Sequence, residues 1–351
     1  MKLDTTIFPH ISVVMPVYNC AEYVADSIKS ILNQTYTNFE FIIIDDHSTD
    51  NTLKIVKSFN DERINVYEKD RNKGMVDSLN FGISIAKGSL IARMDGDDYC
   101  HPTRFEKQVE LLKYNLNLDI VSSNAQIINT DKVYNYSENP EQVKVDLLFG
   151  SAFVHAALMG KIEVFKNNLF DQRMKHAEDY DLWSRLAFKT NMANMKEVLY
   201  YYRAHKNQVS NQFKNTQMKN CAIAQHRMFH YIPYDYSKFP DTLLDKALRK
   251  NISTLREAQI IFKWFDEVKI INNDKEVFKK DLFNIAIEKF RIKYIKFSLT
   301  NMIEGKEPFS FTKTYLFLLQ KPTYLFQVIY RKIKNNIFLN ALSKSVSGNL
   351  E

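Results

Sequence analysis

The chain has 351 residues, with 48 Lys and Arg against 41 Asp and Glu and a formal net charge of +7. Its hydrophobic fraction of 45% is ordinary for a globular protein and excludes a wholly disordered chain. The three cysteines, Cys20, Cys100 and Cys221, have no CxxC spacing, which excludes a zinc signature and favours a reducing cytosol.

Short runs of β-branched residues alternate with amphipathic segments over the first hundred residues. Each amphipathic segment between two such runs carries apolar residues at helical spacing. Ser48 or Thr49 is a candidate N-cap for the helix after the second run. Strands joined by single helices predict an α/β fold with a doubly wound, mainly parallel, Rossmann-like sheet. The predicted strands are ISVVMPV (11–17), FEFIIIDD (39–46), RINVYEK (63–69) and SLIARMD (89–95).

The elements after the fourth strand are shorter and more varied. Pro102 stands near the start of a predicted helix, where its missing N–H costs nothing. A pair of strands is predicted around 120–129 and 131–136. AFVHAALMG (152–160) predicts another strand, and AEDYDLWSRLAF (177–188) predicts a helix.

Strand signals fade beyond about residue 213, where the chain becomes helical in pattern. We predict a boundary near residue 210, between a ligand-binding and catalytic domain at 1–210 and a helical, basic region at 211–351. The apolar residues at helical spacing in the second region include Leu282, Ile285, Ile292, Ile295 and Leu299.

Three polar clusters follow predicted strands one, two and four. In open parallel sheets, ligands bind beyond the carboxyl ends of the strands, so we expect the clusters to meet at one site. The chain has eight glycines and none in a G-x-G pair, which excludes a dinucleotide fingerprint and a P-loop. The clusters are Pro16-Val17-Tyr18-Asn19, Asp45-Asp46-His47-Ser48 and Asp95-Gly96-Asp97-Asp98.

The third cluster has the chemistry of a divalent-metal site. Mg²⁺ and Mn²⁺ take oxygen ligands and bridge a diphosphate to protein carboxylates, which Asp95, Asp97 and Asp98 supply. Repulsion between neighbouring carboxylates makes their clustering informative. The alternative is a polar turn before the helix at Pro102, which accounts for one aspartate better than for three.

Two further groups suggest a nucleotide and a proton acceptor. The ring of Tyr18 could stack on a base and Asp46 could accept the N3–H of uracil, although a packed aromatic and a helix cap are the alternatives. Glu178 and Asp179 open a predicted helix, where acidic residues are also favoured by the helix dipole. A carboxylate at Asp179 could act as the general base of a transfer reaction.

These motifs together resemble the family 2 glycosyltransferases of the GT-A fold, over roughly residues 10–205. The resemblance implies an inverting transfer of a sugar from a UDP-sugar to a hydroxyl of a surface glycan, with Mn²⁺ or Mg²⁺ as cofactor. It assigns Pro16, Tyr18 and Asp46 to the nucleoside, with Asn19 on the same loop. It assigns Asp95 and Asp97 to the D-x-D motif, with Asp97 as the metal ligand, and Asp179 to the catalytic base with Glu178 beside it.

Three other residues resemble donor or acceptor contacts of that family. They are His155, Arg203 and His205, although a lone histidine is more often structural. A guanidinium at Arg203 suits phosphate recognition. The sequence departs from the family at Ser78-Leu79-Asn80-Phe81-Gly82, where many relatives carry an arginine, so that donor contact is in doubt.

The C-terminal region carries the excess positive charge, with 24 Lys and Arg against 13 Asp and Glu over 211–351. Arg331, Lys332 and Lys334 follow an aromatic and aliphatic stretch, which suggests a helix on an anionic membrane surface. A helix that packs on its own domain is the alternative. The N-terminus lacks a signal-peptide pattern and Tyr315–Tyr330 is interrupted by polar residues, so we expect a cytoplasmic protein, peripheral on the membrane at most.

Two alternatives to a glycosyltransferase remain open from the sequence. A sugar nucleotidyltransferase would share the sheet and the acidic metal site, but we would expect a Gly-rich loop after strand one. A non-catalytic sugar-nucleotide or glycan-binding module would not need both acidic motifs. The expected partners are a UDP-sugar and a glycan or lipid-linked glycan acceptor, and no nucleic acid.

Overall fold

The computed structural model describes residues 10–205, 213–249 and 255–303. The chain divides into two compact units between Tyr231 and Ile232. The first unit contains a nine-stranded sheet that is covered by helices, and the described residues of the second unit form helices.

The sheet of the first unit runs in the order β3-β2-β1-β4-β8-β6-β9-β5, and β7 pairs with β6 at its side. β1 pairs in parallel with β2 and β4, β2 with β3, and β6 with β9. β8 lies antiparallel between β4 and β6. The strands are β1 (Ile11–Val17), β2 (Phe39–Asp45), β3 (Ile64–Glu68), β4 (Leu90–Arg93), β5 (Tyr99–Cys100), β6 (Ile120–Ile127), β7 (Val133–Tyr134), β8 (Met159–Lys161) and β9 (Met192–Tyr202).

Helices connect and cover these strands. All seven residues of β1 and of β2 are buried, because helices lie on both faces of this part of the sheet. The predicted doubly wound, mainly parallel fold is confirmed. The helices of the first unit are α1 (Val24–Leu32), α2 (Thr52–Lys57), α3 (Met75–Ile85), α4 (Arg104–Tyr114), α5 (Pro140–Asp146), α6 (Ile162–Lys166), α7 (Glu178–Leu186) and α8 (Lys214–His230).

The predicted strand at 152–160 is mostly wrong. His155–Ala157 form a turn of 3₁₀ helix, and β8 begins only at Met159. The amide of Ala157 donates to the carbonyl of Val154 at 3.0 Å, which closes the backbone on itself. Small buried alanines gave this segment the apolar appearance of a strand without the extended backbone.

The predicted N-cap of the second helix is also wrong. α2 begins at Thr52, and the side chain of Asp50 accepts the amide of Thr52 at 2.9 Å. Ser48 and Thr49 instead bond to Asn19: the Asn19 amide donates to Ser48 Oγ and the Thr49 amide donates to Asn19 Oδ1. These two residues therefore join the first two polar clusters.

β9 is a strand that the sequence prediction missed. It runs parallel to β6 for eleven residues, with a register shift between Ser123 and Ala125. Asn194, Lys196 and Glu197 interrupt the apolar pattern of this strand, which hid it from the prediction. Its end carries Tyr200 and leads into Arg203, so it supplies one wall of the site.

The first unit extends beyond the boundary predicted near residue 210, because α8 packs against α7. The division of function between 1–210 and 211–351 stays a prediction. In the second unit, the helices are α9 (Asp241–Arg249), α10 (Leu255–Lys275) and α11 (Lys280–Ile303).

The second unit is helical, as the sequence pattern predicted, but the buried face of α11 differs from the predicted one. Phe283 and Ile287 of α11 are fully buried, whereas Ile285 is 52% exposed. No helix among 10–205, 213–249 and 255–303 has the length and apolarity needed to cross a membrane. Arg331, Lys332 and Lys334 lie outside the described residues.

Candidate active site

The first two polar clusters meet where β1 and β2 end. The amide of Asp46 donates to the carbonyl of Val17 at 2.9 Å. Asn19 has a φ of +49°, a left-handed conformation that asparagine tolerates, and its side chain holds the loop after β2. Pro16 is buried within β1, whereas Tyr18 is 48% exposed at the rim. An exposed ring at this edge is free to stack on a planar ligand.

Asp46 has a structural contact that sequence reasoning missed. It is 3% exposed and accepts the amides of Lys73 and Gly74 at 3.0 and 2.7 Å. The ammonium of Lys69 lies 3.1 Å from the same carboxylate. Asp46 thus fixes the turn before α3, where Gly74 has a φ of +89°. Its predicted contact with a base stays a prediction.

The three aspartates of the third cluster converge after β4. One carboxylate oxygen from each of Asp95, Asp97 and Asp98 lies within 4.8 Å of the others. Burial raises the pKa of Asp97, and the charge of Asp95 raises it further. Burial and then the charge of Asp97 raise the pKa of Asp98 well above its usual range. A cation among these oxygens would relieve that repulsion, so the donor set suits Mn²⁺ or Mg²⁺.

The hydrogen-bond partners of Asp98 differ from those of Asp97, which indicates different roles for the two side chains. Both oxygens of Asp98 accept protein hydrogen bonds, from the hydroxyl of Tyr200 at 2.9 Å and the amide of Arg203 at 2.7 Å. Asp98 therefore ties the cluster to the end of β9. Asp97 Oδ2 lies 2.9 Å from His205 Nε2, which brings an imidazole to the aspartate cluster.

Arg203 and His205 lie beside the aspartate cluster, and their predicted contacts with the donor or acceptor stay a prediction. Arg203 Nε donates to the carbonyl of Asp97 at 2.9 Å. Both side chains pack on the ring of Tyr23, with the guanidinium 4.8 Å and the imidazole 5.3 Å from its centroid. This packing holds a guanidinium and an imidazole beside the aspartate cluster.

Arg93 is a site residue that the sequence prediction missed. It is the last residue of β4, is 4% exposed, and forms an ion pair with Asp95 at 2.8 Å. Its charge also lowers the pKa of Glu178 and Asp179. The signal was available in the sequence, because an arginine interrupts an otherwise apolar strand. A buried arginine requires carboxylate partners, which the two acidic motifs provide.

Glu178 and Asp179 occupy the first turn of α7, as predicted. Burial raises the pKa of Asp179, while the backbone and the charge of Arg93 oppose the shift. The hydroxyl of Ser151 lies 3.5 Å from Asp179 Oδ2. Burial raises the pKa of Glu178 to about 7, and the charge of Asp179 adds to the effect. Carboxylates with raised pKa values are suited to accept a proton near neutral pH.

His155 lies between the rings of Phe170 and Trp183, with centroids 5.3 and 5.9 Å away. Burial lowers its pKa well below the usual range, and the charge of Arg93 lowers it further, so the imidazole is neutral. His155 Nε2, Arg93 Nε and Glu178 Oε2 are buried without a hydrogen-bond partner. Buried polar atoms of this kind cost stability unless a ligand or water satisfies them.

The segment that departs from the family pattern is structural here. Asn80 donates to the carbonyl of Phe170 at 2.9 Å and accepts its amide at 3.0 Å. Ser78 is fully buried in α3.

Comparison with known proteins accounts for this arrangement. The family model described as glycosyl transferase family 2 matches residues 12–202, more than half of the chain. The chain belongs to glycosyl transferase family 2. This membership disfavours the sugar nucleotidyltransferase alternative.

Relatives support the same family. The chain is 32% identical over 225 residues to an uncharacterized glycosyltransferase of Haemophilus influenzae, covering 60% of this chain and 70% of that protein. It is 30% identical over 207 residues to the Escherichia coli UDP-Glc:alpha-D-GlcNAc-diphosphoundecaprenol beta-1,3-glucosyltransferase WfgD, covering 58% of this chain and 81% of that protein.

A solved structure shares the fold. The structure of Staphylococcus aureus TarS residues 1–349 with UDP-GlcNAc superposes with a TM-score of 0.54, covering 81% of this chain and 92% of that one. Sequence identity is 15%, so the likeness concerns the fold. It confirms the GT-A architecture predicted from the sequence.

Proposed function

We propose that this protein is a metal-assisted, inverting glycosyltransferase that moves a hexose or N-acetylhexosamine from a UDP-sugar to a hydroxyl of a surface glycan. The observation that carries the proposal is the pairing of two acidic groups around Arg93. That side chain forms an ion pair with Asp95 of the aspartate cluster and acts on the pKa of Glu178 and Asp179. A donor site and a proton acceptor are thereby linked at one edge of the sheet.

The nucleotide end of the donor would lie where β1 and β2 end. Tyr18 offers an exposed ring for the base, and Asn19 holds the two loops together. Uracil is the base we propose, because WfgD is named for a UDP-glucose donor and TarS was solved with UDP-GlcNAc. Arg203 and His205 would face the diphosphate from the end of β9.

Asp97 and Asp95 would hold the divalent cation, with His205 beside Asp97. When bound, the cation supplies charge stabilisation for the departing diphosphate. Asp95 is oriented by Arg93 at 2.8 Å, and Asp98 holds the cluster to Tyr200. The protein's contribution is to keep these oxygens in place before the donor arrives.

Asp179 would take the proton of the acceptor hydroxyl as its oxygen attacks the anomeric carbon of the sugar. The bond from that carbon to the diphosphate breaks in the same displacement, so the anomeric configuration inverts. Glu178 is the alternative base, because it is the adjacent carboxylate with a pKa of about 7. Replacement of Asp179 by Asn should therefore lower kcat with little effect on UDP binding.

A panel of nucleotide sugars tests the donor. UDP-, GDP- and dTDP-sugars are ranked with Mn²⁺ by the shift of the thermal unfolding midpoint, because a ligand of the native state raises its stability by about 2.7 kcal/mol at a hundred times its Kd. We expect UDP-sugars to give the largest shift, and the best one to release UDP only with an acceptor. Stabilisation by GDP- or dTDP-sugars alone would contradict the donor assignment, and binding without turnover would favour a non-catalytic module.

A further inference from the structure

α8 follows the residues matched by the family model. It packs against α7, which carries Asp179, and its side chains bond to the segments that lead to Glu178 and to Ser151. Three polar side chains of α8 make these contacts, and we call them the α8 clamp. They are Asn220, Gln225 and Arg227.

Arg227 bonds to the helix that carries the proposed base. Its Nη1 donates to Asp181 Oδ1 at 2.8 Å, to the carbonyl of Asp181 at 3.3 Å and to Ser184 Oγ at 2.5 Å. Asp181 is 1% exposed, whereas the Arg227 side chain is 31% exposed. Asp181 keeps a second ion pair with Arg185 at 2.9 Å, so loss of Arg227 removes the link from α8 to this helix rather than the last charge partner of Asp181.

The other two members of the clamp hold the backbone on either side of the base. Asn220 Nδ2 donates to the carbonyl of Lys175 at 2.8 Å, three residues before Glu178. Gln225 Nε2 donates to the carbonyl of Phe149 at 3.2 Å, two residues before Ser151. The hydroxyl of Ser151 in turn lies 3.5 Å from Asp179 Oδ2.

The first turn of α7 has little internal support. Its N-cap is Ala177, which makes no side-chain cap hydrogen bond, and His176 before it has a φ of +68°. A helix start of this kind leaves backbone amides without a capping side chain. Contacts from outside the helix therefore add to the backbone hydrogen bond at Tyr180 in fixing the direction in which Asp179 points.

We propose that Arg227 is a positioning residue for catalysis: through Asp181 it holds the first turn of α7 so that Asp179 faces the acceptor hydroxyl. The inference rests on the proposed role of Asp179 as base. It assigns α8 to the catalytic machinery, although α8 follows the matched family segment. A displacement of about 1 Å at a reacting group can cost on the order of a hundredfold in rate, so the effect belongs in kcat.

Arg227→Ala and Arg185→Ala form a matched pair of variants. Both arginines pair with Asp181, at 2.8 and 2.9 Å, and their side chains are 31% and 27% exposed. Arg185 lies on α7 itself, so its loss leaves the contact from α8 intact. We expect Arg227→Ala to lower kcat at least about tenfold with KM for the UDP-sugar changed less than about twofold, and Arg185→Ala to keep more than half of kcat.

A double-mutant cycle with Asp179→Asn separates positioning from a general loss of stability. If Arg227 acts through Asp179, Arg227→Ala should reduce kcat little further once Asp179 is replaced. Arg227→Lys should restore part of the rate, because an ammonium can pair with Asp181. Asn220→Ala removes one hydrogen bond to the carbonyl of Lys175 and should also lower kcat. This variant replaces Arg227→Ala in the test if Arg227→Ala does not fold.

The outcomes are distinguishable. Equal kcat values for Arg227→Ala and Arg185→Ala, or additive losses in the cycle, would overturn the positioning role. If Arg227→Ala does not fold, an unchanged kcat in Asn220→Ala would overturn it. Full turnover in Asp179→Asn would overturn the proposed base instead.

Discussion

At the scale of single residues, the site depends on carboxylates kept close together at an energetic cost. Asp95, Asp97 and Asp98 converge after β4, and Glu178 and Asp179 share the first turn of α7. Burial is the largest cause of the raised pKa in Asp97, Asp98, Glu178 and Asp179. Carboxylates with perturbed pKa values cluster at functional sites. Neutral residues would pack in the same place without repulsion.

Asp97→Asn should weaken Mn²⁺-dependent UDP binding at least about tenfold, because the proposed metal ligand is removed from the cluster. Titration calorimetry with UDP, with and without EDTA, measures this. Asp281→Asn is the control, since Asp281 is exposed and belongs to the second unit. Because burial raises the pKa of Asp97, the Mn²⁺ affinity of the native protein should fall as the pH is lowered. Equal UDP affinity in EDTA would contradict the metal site.

Glu178→Gln should stabilise the protein at alkaline pH. The pKa of Glu178 is raised from 4.5 to about 7 in the folded state, so the folded state binds more protons between these pH values. The free energy of unfolding therefore falls as the pH rises through this window, and the loss is complete above about pH 7. We expect Glu178→Gln to remove on the order of 2 kcal/mol of this penalty at pH 8 and to have little effect at pH 4.

Urea unfolding at the two pH values measures the effect. Glu163→Gln is the control, because Glu163 is an exposed glutamate on α6. The same gain for both variants, or a gain at pH 4 as large as at pH 8, would show that burial of the Glu178 charge is not the cause.

At the scale of elements, the parallel half of the sheet carries the clusters because its connections are short and tightly packed. Gly88, between α3 and β4, lies against the backbone of β1, and its amide donates to Ser12 Oγ at 2.8 Å. Ser12 in turn donates to Glu40 at 2.6 Å. This contact sets the start of β4 and thereby the position of the aspartates at its end.

Gly88→Ala should destabilise the protein by about 1–3 kcal/mol, because an added methyl group cannot be accommodated. A Cβ there would lie 2.6 Å from the carbonyl oxygen of His10 and 2.7 Å from the amide nitrogen of Ser12. Gly150→Ala is the matched control, since a Cβ at Gly150 has nothing within 4 Å. Chemical unfolding of both variants measures their free energies of unfolding. Equal values would show that β1 shifts enough to accommodate the methyl group.

At the scale of the whole molecule, residues 211–351 hold the excess positive charge, and apart from the positioning residue Arg227 the proposed site residues precede residue 210. We predict that this region directs the enzyme to an anionic membrane face or a lipid-linked glycan. Lys and Arg near an anionic surface contribute about 1 kcal/mol each, so binding should depend on salt. Arg331, Lys332 and Lys334 are the residues to test.

Co-sedimentation with liposomes that contain anionic lipid measures this association at low and high salt. We expect the intact chain to bind at low salt, and the triple change of these residues to Glu to abolish binding. Replacement of Lys113, Lys189 and Lys196 of the first unit by Glu is the charge-matched control. If the charge reversal leaves liposome binding unchanged, the C-terminal basic residues do not bind the membrane, and 211–351 would be a region that packs on its own domain.

The sequence by itself determined the parallel sheet and the identity of the acidic motifs. Periodicity of apolar residues places β1 to β4 and their helices, because burial on both faces leaves a continuous pattern in the chain. The runs at 11–52, 72–108 and 177–186, in that order, indicated the family, and the match over 12–202 confirms it.

Only the tertiary structure decided which other residues join those motifs. The bond from Tyr200 to Asp98 and the contact of Arg227 with Asp181 join segments that are far apart in the chain. Their sequence separations are 102 and 46 residues. Local pattern reports how a segment is buried, but the pairing of buried charges depends on which segments the fold brings together.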